Sequence, residues 1–132
     1  LYNKYLPIII QEYIKVDYDI RVIVSEGEVV GAMKRNVMSD DVRSNASLGA
    51  KTESIELTDL EISESIRIAE EFGGRLLGVD LIPSKDREKE PPYCLEVNAN
   101  PGLNSIEEVS DSPTKKILNS YKDRTIWPVL TP

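Results

Sequence analysis

Tyr93-Cys94-Leu95-Glu96-Val97-Asn98-Ala99-Asn100-Pro101-Gly102 is the stretch on which the fold turns. Tyr93 to Val97 alternate as a strand does, and Pro101-Gly102 is a strong stop. Side chains at i and i+2 leave the same face of a strand. Glu96 and Asn98 therefore point together, with Cys94 on their side, while Leu95 and Val97 pack on the other. Two oxygen ligands at a strand end suit a hard cation, and magnesium takes oxygen donors and completes its shell with water and phosphate. Upstream, Leu76-Leu77-Gly78-Val79-Asp80-Leu81-Ile82 is an apolar run with one acid in its middle. Asp80 shares a face with Gly78 and Ile82, opposite Leu77, Val79 and Leu81. A carboxylate in so apolar a strand is costly to bury unless it is paired or bound to metal. With the two strands adjacent, about 4.8 Å apart, Asp80, Glu96 and Asn98 converge on one cation site. A turn-capping Asp and an Asn-Pro-Gly loop with no ligand role stand beside that reading on spacing alone.

The flanking segments supply the elements of one domain. Residues 8–14 read as a strand introduced by Pro7, and 15–18 as a short link. Residues 20–25 and 28–35 form a β-hairpin closed by Glu26-Gly27-Glu28, with Arg21 on the face of Ile23 and Arg35 at the end of the second strand. Residues 36–52 carry no period; Ser39-Asp40-Asp41 and Ser44-Asn45-Ala46-Ser47 mark a loop hinged at Gly49. Thr58-Asp59-Leu60-Glu61 is a capping box. Ile62, Ile66, Ala69 and Phe72 form the apolar face of the helix that follows, and Gly73-Gly74 ends it. Its polar face (Glu61, Glu64, Arg67, Glu71) is solvated. Ser84 to Pro92 is a charged excursion of mixed sign, read as a solvated loop. Leu103 to Ile106 opens a short helical turn, and Ser112-Pro113 starts a last helix with Ile117, Leu118 and Tyr121 available to pack. The tail Ile126-Trp127-Pro128-Val129-Leu130 is apolar for a terminus, so it covers either the domain's own core or another subdomain or subunit, which leaves a homo-oligomer open.

Composition narrows the function classes. The chain has 132 residues and a formal charge of −7, enough for one domain with a sizeable core and unsuited to a nucleic-acid partner. Within residues 34–51, Lys34, Arg35, Arg43 and Lys51 outnumber Asp40 and Asp41. That basic island in an acidic protein is either an anion site or a charged solvated loop. Cys94 is the single cysteine, which rules out an internal disulfide, favours a reducing cytoplasmic setting and reads as a buried structural thiol. No histidine occurs, so Ser-His-Asp and Cys-His catalysis and histidine-bearing zinc sites are excluded. No run has the length of a transmembrane helix, and a membrane partner is not expected.

Taken in order, Gln11-Glu12-Tyr13-Ile14, Asp19-Ile20-Arg21, Ala32-Met33-Lys34-Arg35, Arg43-Ser44-Asn45, Gly78-Val79-Asp80, Leu95-Glu96-Val97-Asn98 and Pro101-Gly102 resemble the C-terminal part of ATP-grasp ligases. The branch they resemble is that of RimK-type α-L-glutamate ligases and their lysine-biosynthesis relatives. The likeness covers residues 8 to about 106, and the ordered set is far more specific than any one piece.

The resemblance implies an α+β fold, a mostly antiparallel sheet with helices packed on one face, formed by 1–132 as a single C-terminal subdomain. It implies a fragment of a longer chain that lacks an N-terminal portion and is inactive alone. The implied reaction is ATP-dependent carboxylate–amine ligation through an acyl-phosphate, adding an amino acid such as glutamate to a small-molecule or peptide partner. The cofactors would be ATP and one or two Mg2+ ions, or Mn2+ in their place, held by Asp80, Glu96 and Asn98. Glu12 and Tyr13 would meet adenine, and Asp19 would lie near ribose or phosphates, with a turn-forming Asp as the rival reading. Arg35, Arg43 and Asn45 would steady phosphate and acyl-phosphate oxygens, and Arg21 would face the substrate carboxylate or support that site, with pairing of Arg21 and Arg35 to surface acids as the rival reading. Where many relatives continue with an arginine and paired glycines, this chain reads Leu48-Gly49-Ala50-Lys51, and Lys51 is left as a substitute contact. A non-catalytic nucleotide- or metal-binding module, or an interaction domain, is the alternative.

Overall fold

The structure, a computed structural model, describes residue 10, residues 12–36 and residues 51–122. Its framework is a hairpin of β1 (Tyr18–Ser25) and β2 (Glu28–Asn36). The turn is two residues long, with Glu26 at φ 53° and Gly27 at φ 82°. Two positive φ values give a turn whose twist matches that of the flanking strands. β4 (Leu76–Ile82) pairs antiparallel with the other edge of β1, and β5 (Tyr93–Asn98) pairs antiparallel with β4. A short β3 (Thr52–Ser54) lies beside β2 within the stretch read as loop, so the sheet runs β3-β2-β1-β4-β5.

The α+β class follows as expected, but helices cover both faces of the sheet rather than one. On the first face, Ile20, Val22, Val24, Leu77, Val79 and Leu81 pack against Ile68 and Ala69 of α1 (Asp59–Phe72). On the second, Ile23, Val30 and Met33 meet Ile106 of α2 (Asn104–Glu107) and Ile117 of α3 (Pro113–Lys122). Each fully buried Ile or Val is worth about 1.5–3 kcal/mol relative to exposure, and both faces are apolar enough to require a cover. Gly78 sits where Pro101 folds over the second face: a Cβ there would lie 2.9 Å from that of Pro101. Any larger residue would push the turn after β5 away from the sheet.

Several local expectations change. Of the strand expected over 8–14, Ile10 and residues 12–14 carry no strand, and the remaining positions lie outside the described residues. Ile10 is exposed and finds no neighbouring strand among the described residues, and an unpaired strand is not stable alone. α1 starts at the Thr58 capping box and ends on a left-handed Gly73 cap, but its buried face is Glu61, Ser65, Ile68 and Ala69, and Phe72 is exposed.

The helix is rotated because Glu61 is not solvated. Its carboxylate caps Thr58 N at 3.0 Å and accepts Arg87 Nε at 2.8 Å and Nη2 at 2.7 Å. Arg87 also donates to Glu56 O at 2.9 Å. The charged excursion is therefore pinned to the start of α1 rather than left free in solvent. In α3, Ile117 is buried but Leu118 is exposed. The tail around Trp127 lies outside the described residues. Among those residues no helix is long and apolar enough to cross a membrane.

Candidate active site: a buried arginine–aspartate quartet beside the edge strand

The strands β1, β2 and β4 bring two arginines and two aspartates together on the second face. The register sets Asp19 opposite Arg35 and Arg21 opposite Asp80. Residues directly opposite on antiparallel strands stand within side-chain reach. Arg35 donates Nε to Asp19 Oδ1 at 2.6 Å and Nη2 to Asp19 Oδ2 at 2.8 Å. The same Nη2 reaches Asp80 Oδ2 at 2.8 Å. Arg21 grips Asp80 with both prongs, Nε to Oδ1 at 2.7 Å and Nη2 to Oδ2 at 2.6 Å. Asp19, Arg35 and Asp80 are each only 2 % exposed.

Buried charges persist only when paired and hydrogen-bonded, and the quartet balances two cations with two anions. Burial pulls the Arg35 pKa down, but the bond to Asp19 and the charges of Asp80 and Asp19 outweigh it, so the net shift is upward. Arginine suits this position because its planar fork matches a carboxylate with two bonds. Asp19 is a β1 residue in a two-pronged ion pair, which displaces the turn-forming alternative.

The edge strand completes the site. Glu96 lies opposite Asp80 and Asn98 opposite Gly78, so the three predicted cation ligands share one face of adjacent strands. Glu96 is exposed and Asn98 half-buried. Asn98 Oδ1 accepts the amide of Asn100 at 2.9 Å, which fixes the side chain at the turn. Among the described residues no three His, Cys, Asp or Glu side chains gather as an ion site; the third donor of this set is an amide oxygen. The donors still fit a hard divalent cation in kind, being carboxylate and amide oxygens.

Cys94 does not share the Glu96 face, and it is exposed rather than buried. A register shift beyond Asp80 sets Cys94 opposite Leu81, which belongs to the α1 face. Leu95, the residue displaced by that bulge, is 41 % exposed instead of packed, whereas Val97 does pack on the α1 cluster.

The other predicted residues stand apart from this cluster. Glu12 and Tyr13 are exposed. Lys51 extends into solvent and pairs with Glu53 at 3.1 Å. Lys34 pairs with the same Glu53 at 3.6 Å and lies over the Tyr18 ring. The described part of the basic island is thereby divided between a buried Arg35 and two lysines sharing one acid. Arg43 and Asn45 lie outside the described residues. The Asp19–Arg35 pairing was missed from sequence, although both residues flank the same hairpin.

A family model described as the RimK-like ATP-grasp domain matches residues 3–120. The chain belongs to the RimK-like ATP-grasp family. A relative named "Probable alpha-L-glutamate ligase" from Stutzerimonas stutzeri is 35 % identical over 126 residues, 94 % of this chain and 40 % of the relative. One of the same name from Chromohalobacter salexigens is 41 % identical over 102 residues, 76 % of this chain and 32 % of that protein. The RimK-like chain thus spans 40 % or less of these relatives' length.

Among solved structures, the ATP-grasp ligase PsnB complexed with a phosphomimetic variant of its minimal precursor, Mg and ADP superposes with a TM-score of 0.63 at 20 % identity. The match covers 83 % of this chain and 33 % of PsnB. PsnB complexed with minimal precursor gives 0.60 at 23 %. At such identities the likeness is one of fold, and it agrees with the five-stranded antiparallel sheet described above.

Proposed function

We propose that this chain is the C-terminal ATP-grasp part of a cytoplasmic ATP-dependent carboxylate–amine ligase that adds an amino acid, glutamate being the leading candidate. The observation that carries the reading is that Asp80, Glu96 and Asn98 lie on one face of adjacent strands, backed by the half-buried Arg21 and the buried Arg35, in a RimK-like chain.

In the reaction proposed, a carboxylate oxygen attacks the γ-phosphorus of ATP, ADP leaves, and an acyl-phosphate forms. An amine then attacks the activated carbonyl, phosphate leaves, and the amine's proton is lost to give the amide. Phosphoryl transfer asks little covalent work of a protein; positioning and charge neutralisation supply the rate. Asp80, Glu96 and Asn98 would hold Mg2+, with Glu96 as the bridging ligand where two ions bind. The ion would neutralise phosphate oxygens. Arg35, held by Asp19 and Asp80, supplies a fixed positive charge beneath the site, and such preorganised charge stabilises anionic oxygens without reorganisation. Arg43 and Asn45 are proposed as phosphate contacts, Glu12 and Tyr13 as adenine contacts, and Lys51 as a substrate contact. Asp19 serves the nucleotide site through Arg35.

Replacing Glu96 with Gln tests this. Glu96 is exposed, so folding should be unaffected, while amino-acid-dependent phosphate release by the intact ligase should fall by roughly two to three orders of magnitude. Release at the wild-type rate would favour a non-catalytic binding module instead.

A further inference from the structure

We infer that Arg87 is a positioning residue: by fastening the β4–β5 loop to the start of α1, it holds the edge strand one residue overfull and so aims Glu96. The inference rests on the proposed cation site and adds a residue that acts on it from the α1 side of the sheet.

β5 carries one residue more than β4 can pair. Asp80 stands opposite Glu96, so regular pairing would set Leu81 opposite Leu95 and Ile82 opposite Cys94; instead Leu81 meets Cys94 and Ile82 meets Tyr93. Leu95 is the extra residue, and it is left 41 % exposed. Straightening the strand would turn Leu95 onto the α1 face beside the buried Leu81, an apolar gain. It would also turn Cys94 onto the face of Asp80 and Glu96. The strand's own side chains oppose that slide weakly, since its first four residues are exposed and only Val97 packs on the α1 cluster. A register is poorly specified where so little of a strand is buried.

The strand is held at its two ends instead. At the far end Pro101 lies over Gly78, and Asn98 Oδ1 accepts the amide of Asn100 at 2.9 Å. At the near end Arg87 donates Nε and Nη2 to the two carboxylate oxygens of Glu61, at 2.8 and 2.7 Å, and Nη2 also to Glu56 O at 2.9 Å. The Arg87 carbonyl accepts Thr58 Oγ1 at 3.3 Å. Glu61 is 1 % exposed and is itself fixed by its capping bond to Thr58 N. From Arg87 the hold passes along a tight turn: Asp86 O accepts the amides of Lys89 and Glu90 at 3.1 and 2.9 Å, and Ser84 Oγ donates to Glu90 O at 2.8 Å. Pro91 and Pro92, with φ fixed by their rings, leave little slack before Tyr93. With both ends fixed, the surplus residue bulges at Leu95, next to Glu96. A bulge bends its strand and re-aims the side chains beside it.

The test introduces single cysteines into the intact protein and maps their disulfides to Cys94 by peptide mass spectrometry. Residues directly opposite on antiparallel strands are close enough to bridge, and those one position off point to the other face. With Arg87 present, L81C is expected to bridge to Cys94 and I82C is not. In R87Q the bridge should move to I82C. Mn2+, followed by the paramagnetic resonance of the free ion, should bind R87Q several-fold more weakly than wild type, whereas loss of a positive charge alone would strengthen it. R87K keeps the charge but not the two-pronged bond; it guards against a folding defect in R87Q and should change both readouts in the same direction. A bridge that stays at position 81 in both variants, or wild-type Mn2+ affinity in both while E96Q loses it, overturns the inference alone. Unchanged Mn2+ binding in E96Q overturns the cation site instead, and the bridge position then still decides whether Arg87 sets the register.

Discussion

Replacement of Asp80 by Ala is expected to lower the unfolding free energy by about 3–5 kcal/mol, the usual loss when one partner of a buried ion pair is removed. Three hydrogen bonds end on this carboxylate, from Arg21 Nε and Nη2 and from Arg35 Nη2. Their loss leaves two guanidinium groups on the second face of the sheet, one of them buried. A domain's whole stability is about 5–15 kcal/mol, so the change is a large share of it. Urea denaturation of D80A beside the wild-type chain reads the effect directly. The Asn variant tests the origin: it keeps the volume but turns an NH2 donor toward an arginine donor, so it should lie nearer to Ala than to wild type. A loss below about 1 kcal/mol in D80A would mean that the quartet contributes little, as exposed pairs do.

Arg35→Met should be comparably severe, again about 3–5 kcal/mol. It removes both bonds to Asp19 and one to Asp80. Arg21 still neutralises Asp80, so the damage centres on Asp19, a residue 2 % exposed. The double variant D19L/R35M is expected to recover part of the loss, since an apolar pair of similar volume often replaces a buried ion pair at little cost. Thermal or urea melts of both single variants and the double give the coupling energy. Strict additivity would show that the Asp19–Arg35 pair is not the source.

Much of this architecture is legible in the residues, and the failures have a common physical cause. Strands 76–82 and 93–98 coincide with β4 and β5, because apolar runs bounded by Gly and Pro leave few alternatives. The Thr58 cap and the Pro113 start hold for the same reason, their signals being local. Two register shifts were not legible. Outward from the Glu26-Gly27 turn, regular pairing sets Asp19 opposite Lys34; the shift between Ile23 and Val24 moves Arg35 into that position. The shift beyond Asp80 likewise moves Cys94 away from Glu96. One inserted residue flips every side chain beyond it to the other face, and no local pattern announces it. Glu61 misled differently: an acid at a helix start reads as solvated until a distant Arg87 arrives to bury it. β3, three residues long, is too short to show a period.

The central claim is that Asp80, Glu96 and Asn98 seat a nucleotide's divalent ion on the sheet face lined by Arg21 and Arg35. Anomalous diffraction from crystals of the intact protein grown with Mn2+ and a non-hydrolysable ATP analogue tests it most directly. The account predicts a manganese peak within about 2.0–2.3 Å of oxygens of Glu96 and Asn98, with Asp80 in the same shell. A bound nucleotide whose metal lies elsewhere, with Asp80 still gripped by both arginines, would contradict it.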